Sequence, residues 1–427
     1  MKRTIYPEAG ETVYRQTLPN GLKITVVPKP GFSRKLAYFV TNYGSIYTNY
    51  EFEGKAYRVP DGVAHFLEHK MFDLPGRDVT AEFAALGASV NAFTSFDLTA
   101  YYFSCTAHFE ENLKLLIEFV STPYFTTESV EKEWGIIDQE IGMYADTPDS
   151  QEYEHLMASL YQHHPARVPI LGSCASLREI TPEILYTTHR AFYTPGNMML
   201  CVVGDVDPEE VERIAASMLP SEKQSVGVPL PLPREEMNRP AAPVTARMDV
   251  AMPSFTLGFR CEPEKDGEAV FRQEVVGDLA AEALFGESSP LYLRLYEQGL
   301  IDSSFGGGFE DMDGVATLVC GGDSDEPETV RDAILEEAKR LAREGIDEDT
   351  FLRIKRGAMG RRIRELDGFD STCFRLSAYE LMGFDYFRFP AMYREVRREQ
   401  LREFLGRVVT ADRCGLSTIY PISQEEA

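Results

Sequence analysis

The stretch "GVAHFLEHKMF", residues 62–72, sets His65 and His69 four residues apart with Glu68 between them, in a chain that holds 7 histidines among 427 residues. A helix returns to the same face every 3.6 residues, so the two imidazoles stack one turn apart and can reach a single ion. Neutral imidazole at that spacing is a ligand geometry that Zn2+ accepts readily. Glu68 lies at the edge of the same face, where a carboxylate can act on a water as general base and not ligate. Asp61 and Gly62 read as the start of this helix, with Val63, Phe66 and Leu67 as its buried flank. A lone His on such a face is more often packed or solvated, but a pair at this spacing around a carboxylate favours a metal. A catalytic zinc wants a third protein ligand beside an open position. "VEKEWGIIDQEIGMY" offers a second helix, with Glu133 and Glu140 two turns apart on one face and Ile137 between them, while Glu131 and Asp138 read as solvated.

The elements that must position these residues come in two sets. Between residues 219 and 244 the chain reads "LPSEKQSVGVPLPLPREEMNRPAAPV", with six prolines and no apolar period. Proline at that density makes a stiff extended linker. The expected division is therefore 1–220, a linker over 221–244, and 245–427. The two halves read as copies. "LTAYYFSCTA" leads into "EENLKLLIEFVSTPYFTTESVEKEWGIIDQEIGMY" in the first, and "GVATLVCGG" into "PETVRDAILEEAKRLAREGIDEDTFLRIKRGAMGRRIREL" in the second. Both run strand, helix, short acidic capping turn, helix, and "FTTESVEKE" aligns with "IDEDTFLRI" without a gap. Each half then closes on a helix and a strand. The predicted fold class is α+β: two duplicated domains, each a mostly antiparallel sheet packed with helices, joined into a half-clamshell. The second copy serves as a control, because it sets Ile354 opposite Glu133 and Arg361 opposite Glu140 and so has no ion to feed.

Bulk properties narrow the rest. A formal charge of -25 repels phosphate backbones and anionic lipid, which argues against nucleic-acid and membrane partners. No run reaches the roughly 18 apolar residues of a membrane span, and "MKRTIYPEAGETVYRQ" has no apolar h-region. The 7 cysteines are scattered through apolar, strand-like contexts, so reduced core thiols and a cytoplasmic location are expected. His163 and His164 are adjacent and point apart on a helix or strand; with His108, His155 and His189 they read as structural.

His-x-x-Glu-His with an acidic helix some seventy residues on resembles the pitrilysin/insulinase family of inverzincin zinc metallopeptidases, in particular bacterial members of about this length. The resemblance covers nearly the whole chain, from "LPNGLKITVVPKP" through "SVNAFTSFDLTAYYF" to "FYTPGNMMLCVVGDVD". It implies Zn2+ held by His65, His69 and Glu140, with Glu68 as general base and Glu133 as an auxiliary acid that orients ligands. "ASVNAFTSFDLTAYYF" reads as two strands with a bend near Ser95–Asp97, and an exposed strand edge binds an extended peptide through its main chain. The resemblance makes Asn91 and Ala92 the edge contacts and sets Phe93 beside the pocket next to the cut. For Phe93 an ordinary core role stands equally open.

The implied function is a zinc endopeptidase acting on unfolded peptides or short precursors. Active members complete the site with an Arg and a Tyr just after the strand that here reads "GVATLVCGG". Ala316, Thr317 and "DSDEPETV" offer no such pair, and Arg294 and Tyr296 precede that strand on what reads as a packing helix. The expected state is thus a clam-shaped homodimer, or a heterodimer in which a sister subunit brings the pair. A non-catalytic or partner-dependent subunit is the alternative. A zinc-stabilised structural protein is weaker still, since no cysteine lies near His65.

Overall fold

The computed structural model describes residues 1–422. Its chain forms two compact units, one of Met1–Ile141, Pro169–Pro231 and Ile363–Phe387, the other of Gly142–Val168, Leu232–Arg362 and the chain from Arg388. The expected linear division is corrected by this finding. The first half gives up a helix to the second unit, and the second half returns one to the first.

The first unit is built on strands β1 (Lys2–Tyr6), β2 (Glu11–Thr17), β3 (Lys23–Pro28), β4 (Lys35–Thr41), β5 (Ala88–Thr94), β6 (Thr99–Cys105) and β7 (Met198–Gly204), in the order β1-β2-β3-β7-β4-β6-β5. Only β3 and β7 run parallel; every other neighbouring pair is antiparallel. "MMLCVVG" of β7 is buried along its whole length, the pattern of a central strand covered on both faces. Strand β5 stands at the edge, hydrogen-bonded to β6 alone.

In the second unit β8 (Val244–Met248), β9 (Ser254–Cys261), β10 (Gly306–Met312), β11 (Val315–Asp323) and β12 (Cys414–Pro421) follow the order β8-β12-β9-β11-β10. Again the first and last strands are the one parallel pair. That order matches β3-β7-β4-β6-β5 strand for strand, so the duplication is written into the topology, and β11, "VATLVCGGD", is the counterpart of β6.

Helices α1 (Val63–Met71), α2 (Phe109–Ser121), α3 (Thr127–Ala145), α4 (Pro148–Leu160) and α5 (Pro182–Phe192) belong to the first half of the chain. In the second half, α6 (Gly267–Phe285), α7 (Pro327–Glu344), α8 (Glu348–Glu365), α9 (Phe369–Leu381) and α10 (Arg398–Val408) repeat the series. The aligned caps are real. Thr126 Oγ1 accepts from Ser129 N–H at 3.1 Å ahead of α3, and Asp347 Oδ1 from Thr350 N–H at 2.9 Å ahead of α8.

The exchanged helices are α4 and α9. Gly258 of β9 and Gly415 of β12 are directly paired, and a Cβ built on either would lie 2.7 Å from the Leu160 side chain of α4. Two facing glycines leave a flat seat on the sheet for the helix. Glu152 of α4 accepts from Thr256 at 2.8 Å and also from Ser254. In the first unit Glu380 of α9 takes hydrogen bonds from Arg15 at 2.5 Å and Thr25 at 2.8 Å, with Cys373 and Leu376 fully buried beneath the helix. The proline-rich segment forms no helix, and part of it is paired. Val228–Pro229 pairs antiparallel with Tyr50 and Glu51 of a short hairpin.

Candidate metal centre

Helix α1 has nine residues, and eight of them are buried. It begins at Gly62, whose φ of 90° is left-handed and whose Cβ, if present, would lie 2.5 Å from the carbonyl oxygen of Leu171. Only glycine fits so close an approach. Asp61 was the expected cap, yet no side chain caps this helix. Phe66 and Leu67 are fully buried and Val63 nearly so, which fixes the opposite face toward α3.

There the donors converge. Nε2 of His65 lies 3.7 Å from Glu140 Oε1, and Nε2 of His69 lies 3.4 Å from Glu140 Oε2. The two rings stand 4.6 Å apart between centroids. Among the described residues, His65, His69 and Glu140 are the one group of three placed to share an ion, with their donor atoms within 4.8 Å of one another. Ligand bonds of about 2.0–2.2 Å at tetrahedral angles put donors roughly 3.3–3.6 Å apart, so the set fits zinc. His65 Nδ1 is buried without a hydrogen-bond partner, so the polar contacts of that ring fall to Nε2, which faces Glu140.

The electrostatics keep His65 ready to ligate and draw protons toward His69. Burial, with His69 nearby, pushes the His65 pKa down to about 3, leaving a neutral ring with lone pairs to give. For His69, burial alone would lower the pKa, but the hydrogen bond and charge of Glu133, with Glu68 and Glu140, outweigh it and raise it. Glu133 is 9% exposed and sits 2.9 Å from His69 Nδ1. Burial would raise its own pKa, yet the His69 hydrogen bond and the Lys70 charge hold it below the usual value. An ionised Glu133 only accepts, so Nδ1 of His69 donates to it, and in the neutral ring it is Nε2, toward Glu140, that keeps the lone pair.

Glu68 is 8% exposed, and its pKa is raised mainly by burial. Its Oε2 accepts from the Thr94 hydroxyl at 2.6 Å. Thr94 ends the edge strand β5, so the strand's α1-facing side carries residues 90, 92 and 94 and its other side 91 and 93. Ala92 therefore lies on the metal side. Asn91 is exposed at the edge, and its Oδ1 accepts from the Ala92 N–H at 2.9 Å. Phe93 points the other way, into rings of Phe374 at 5.8 Å, Tyr102 at 6.3 Å and Tyr38 at 6.4 Å. Its surroundings are those of an aromatic cluster under α9.

Two residues escaped the sequence reading. Lys70, 1% exposed, bonds Asp73, the Ser129 carbonyl at 3.3 Å and Glu133 at 3.6 Å, tying α1 to the start of α3. Nothing in a string of letters marks a lysine as buried. Thr94 was visible as the end of an alternating strand, but its partner was not. Two of the remaining histidines are held by hydrogen bonds within the fold: His164 Nδ1 accepts from the Ala166 N–H at 3.1 Å, and His189 Nε2 donates to the Val120 carbonyl at 3.1 Å.

In the second unit the helices that correspond to α1 and α3 carry ion pairs instead. Arg361 meets Glu282 at 2.7 Å, and Arg362 meets Glu274 at 2.5 Å and Asp278 at 2.9 Å.

A family profile described as Insulinase (Peptidase family M16) matches residues 52–173, and a second, Peptidase M16 inactive domain, matches residues 179–358. The chain belongs to the M16 family. All of the residues around the candidate centre fall inside the first M16 match. Among its relatives, a protein of Bacillus subtilis named as the uncharacterized zinc protease YmfH is 36% identical over 427 residues, covering 98% of this chain and 99% of that one. A protein of Rickettsia felis, likewise named as an uncharacterized zinc protease, is 27% identical over 79% of this chain and 80% of its own. A solved M16-like structure from Alicyclobacillus acidocaldarius superposes with a TM-score of 0.92 at 32% identity, over 96% of this chain and 99% of that one. Among the described residues, no helix is long and apolar enough to cross a membrane.

Proposed function

We propose that the chain is a zinc-dependent endopeptidase that hydrolyses unfolded peptides or short precursor polypeptides. The observation that carries this reading is the convergence of both His Nε2 atoms on Glu140, with a buried carboxylate, Glu68, tethered beside them at the end of an open strand edge. Bound there, zinc supplies Lewis acidity to a water and to the scissile carbonyl. The chain's own residues do the rest. An extended peptide adds to the free edge of β5 through main-chain hydrogen bonds, displacing the Asn91 side chain from the Ala92 N–H. Glu68 takes a proton from the attacking water and returns it to the amide nitrogen as the C–N bond breaks and a C–O bond forms. Two shorter peptides leave.

Two features support a partner. No Arg and Tyr pair follows β11, where "SDEPETV" begins α7. Tyr296 is 53% exposed, on a short helix before β10 that buries Leu291, Tyr292 and Leu295. We place the active form as a dimer, with a second copy or a sister subunit completing the site. The 7 cysteines are all unpaired and only Cys174 is exposed, which suits a reducing cytoplasm.

The test is cleavage of a quenched-fluorescence peptide by the zinc-loaded protein and by Glu68→Gln, with zinc content measured in both. Cutting by the wild type alone supports the mechanism within this chain. If both hold zinc and neither cuts, the partner-dependent alternative replaces it. Failure of the wild type to hold zinc sinks the reading.

A further inference from the structure

Beside the three ligands and Glu133, the centre holds one further contact, on the general base itself. The Glu68 carboxylate has a single hydrogen-bond donor among the described residues, the hydroxyl of Thr94. That donor is rigidly placed. Thr94 pairs with Thr99 across the β5–β6 ladder, and the chain turns back at once, Ser95 N–H bonding the Leu98 carbonyl at 2.8 Å. A β-branched side chain is stiff at χ1, so the backbone aims the hydroxyl. The contact is short, at 2.6 Å, as hydroxyl–carboxylate bonds are.

We infer that Thr94 is a positioning residue for Glu68, an inference that rests on the peptidase reading of this site. Glutamate reaches its carboxylate through three rotatable bonds and could swing onto a nearby ion as a ligand additional to the three side chains and the water. Thr94 holds Oε2 on the strand side and leaves Oε1 as the oxygen that takes the proton from water. The same bond ties the general base to the strand that a peptide would extend, so strand and base move as one body. A hydroxyl is the required feature. Serine keeps the donor and loses only stiffness, whereas valine keeps the shape and loses the donor.

The experiment uses the full-length protein loaded with Co2+ in place of zinc, as wild type, Thr94→Val and Thr94→Ser. Visible absorption reports the ligand number, because bands weaken when a tetrahedral ion gains a ligand. Thr94→Val is expected to bind one metal with an unchanged melting temperature, to show weakened bands as Glu68 joins the ion, and to lose about tenfold or more in kcat with KM little changed. Thr94→Ser is expected to restore most of both signals. Val and Ser variants that both match the wild-type spectrum overturn the inference, as does a Thr94→Val protein that loses its metal or its fold. If the wild type binds cobalt but does not cut, self-sufficient peptidase activity fails while the spectra still decide Thr94. If it binds no cobalt, both readings fall together.

Discussion

At the scale of single residues, Glu133 separates a ligand from its support. It sits 2.9 Å from His69 Nδ1, within 3.6 Å of Lys70, and not among the three donors that could share an ion. Partners of this kind fix the tautomer and orientation of a metal-binding His, and their loss typically costs ~10–100-fold in metal affinity. Glu133→Gln should therefore weaken zinc binding by about that factor in a chelator competition, while Glu140→Gln should abolish measurable binding. Equal losses would show that Glu133 itself ligates. A second prediction concerns His189, which is 5% exposed and whose pKa burial depresses to about 4, the Val120 carbonyl opposing. The unfolded chain binds that proton near pH 6.5 and the folded one near 4, so between these values the unfolded state holds more protons and stability rises with pH. The contribution is complete above about pH 6.5 and falls by roughly 3 kcal/mol as pH drops toward 4. His189→Gln can still donate to Val120 but cannot charge. Urea unfolding of that variant should show a flatter acid limb across this window, and an unchanged slope would remove His189 from the account.

At the scale of elements, the contact between α4 and the second sheet leaves no room for a side chain at its glycines. A Cβ on Gly258 would stand 2.7 Å from one methyl of Leu160 and 3.1 Å from one of Leu156. Gly258→Val should cost about 1–3 kcal/mol by overpacking, and pairing Gly258→Ala with Leu160→Ala should cost less than the sum of the two, because the new methyl enters the cavity that the leucine leaves. Additive losses in urea unfolding would show that helix and sheet do not share that space. The same contact explains what the sequence disclosed and what it withheld. The zinc-motif helix, the capping turns and the paired strands rest on local signals: a four-residue spacing, a threonine or aspartate before an amphipathic run, a strand of continuous apolar residues such as "MMLCVVG". The destination of α4 is not local. Its apolar stripe says only that some sheet must cover it, and the glycine pair that receives it lies about a hundred and two hundred and fifty residues away, at 258 and 415. Thr94 and Lys70 went unread for the same reason, since their partners come from another element.

At the scale of the whole molecule, that exchange decides how the chain can be divided. A cut in the proline-rich segment looks harmless from the sequence, because it falls between two copies of one fold. It would nevertheless strand two helices. Residues 1–231 would keep α4 with no sheet for Leu156 and Leu160, both fully buried in the intact protein, and would uncover β4 and β7 where Cys373 and Leu376 of α9 are buried. Residues 232–427 would carry the complementary defects. Each piece would expose apolar surface that the intact chain buries, and so would lose burial that offsets its conformational entropy. The expected outcome is that 1–231, expressed alone, contains the His65, His69 and Glu140 ligands yet shows no cooperative urea transition and exposes surface that binds a hydrophobic dye. Co-expressed with 232–427, it should form a soluble complex with one zinc and a single transition. A 1–231 fragment that unfolds cooperatively and holds zinc by itself would mean that the exchanged helices decorate two self-sufficient domains. If the pair alone succeeds, each copy of the duplicated fold completes the other, which accounts for the presence in one chain of a second copy whose helices bear arginine–carboxylate pairs and no ion-binding group among the described residues.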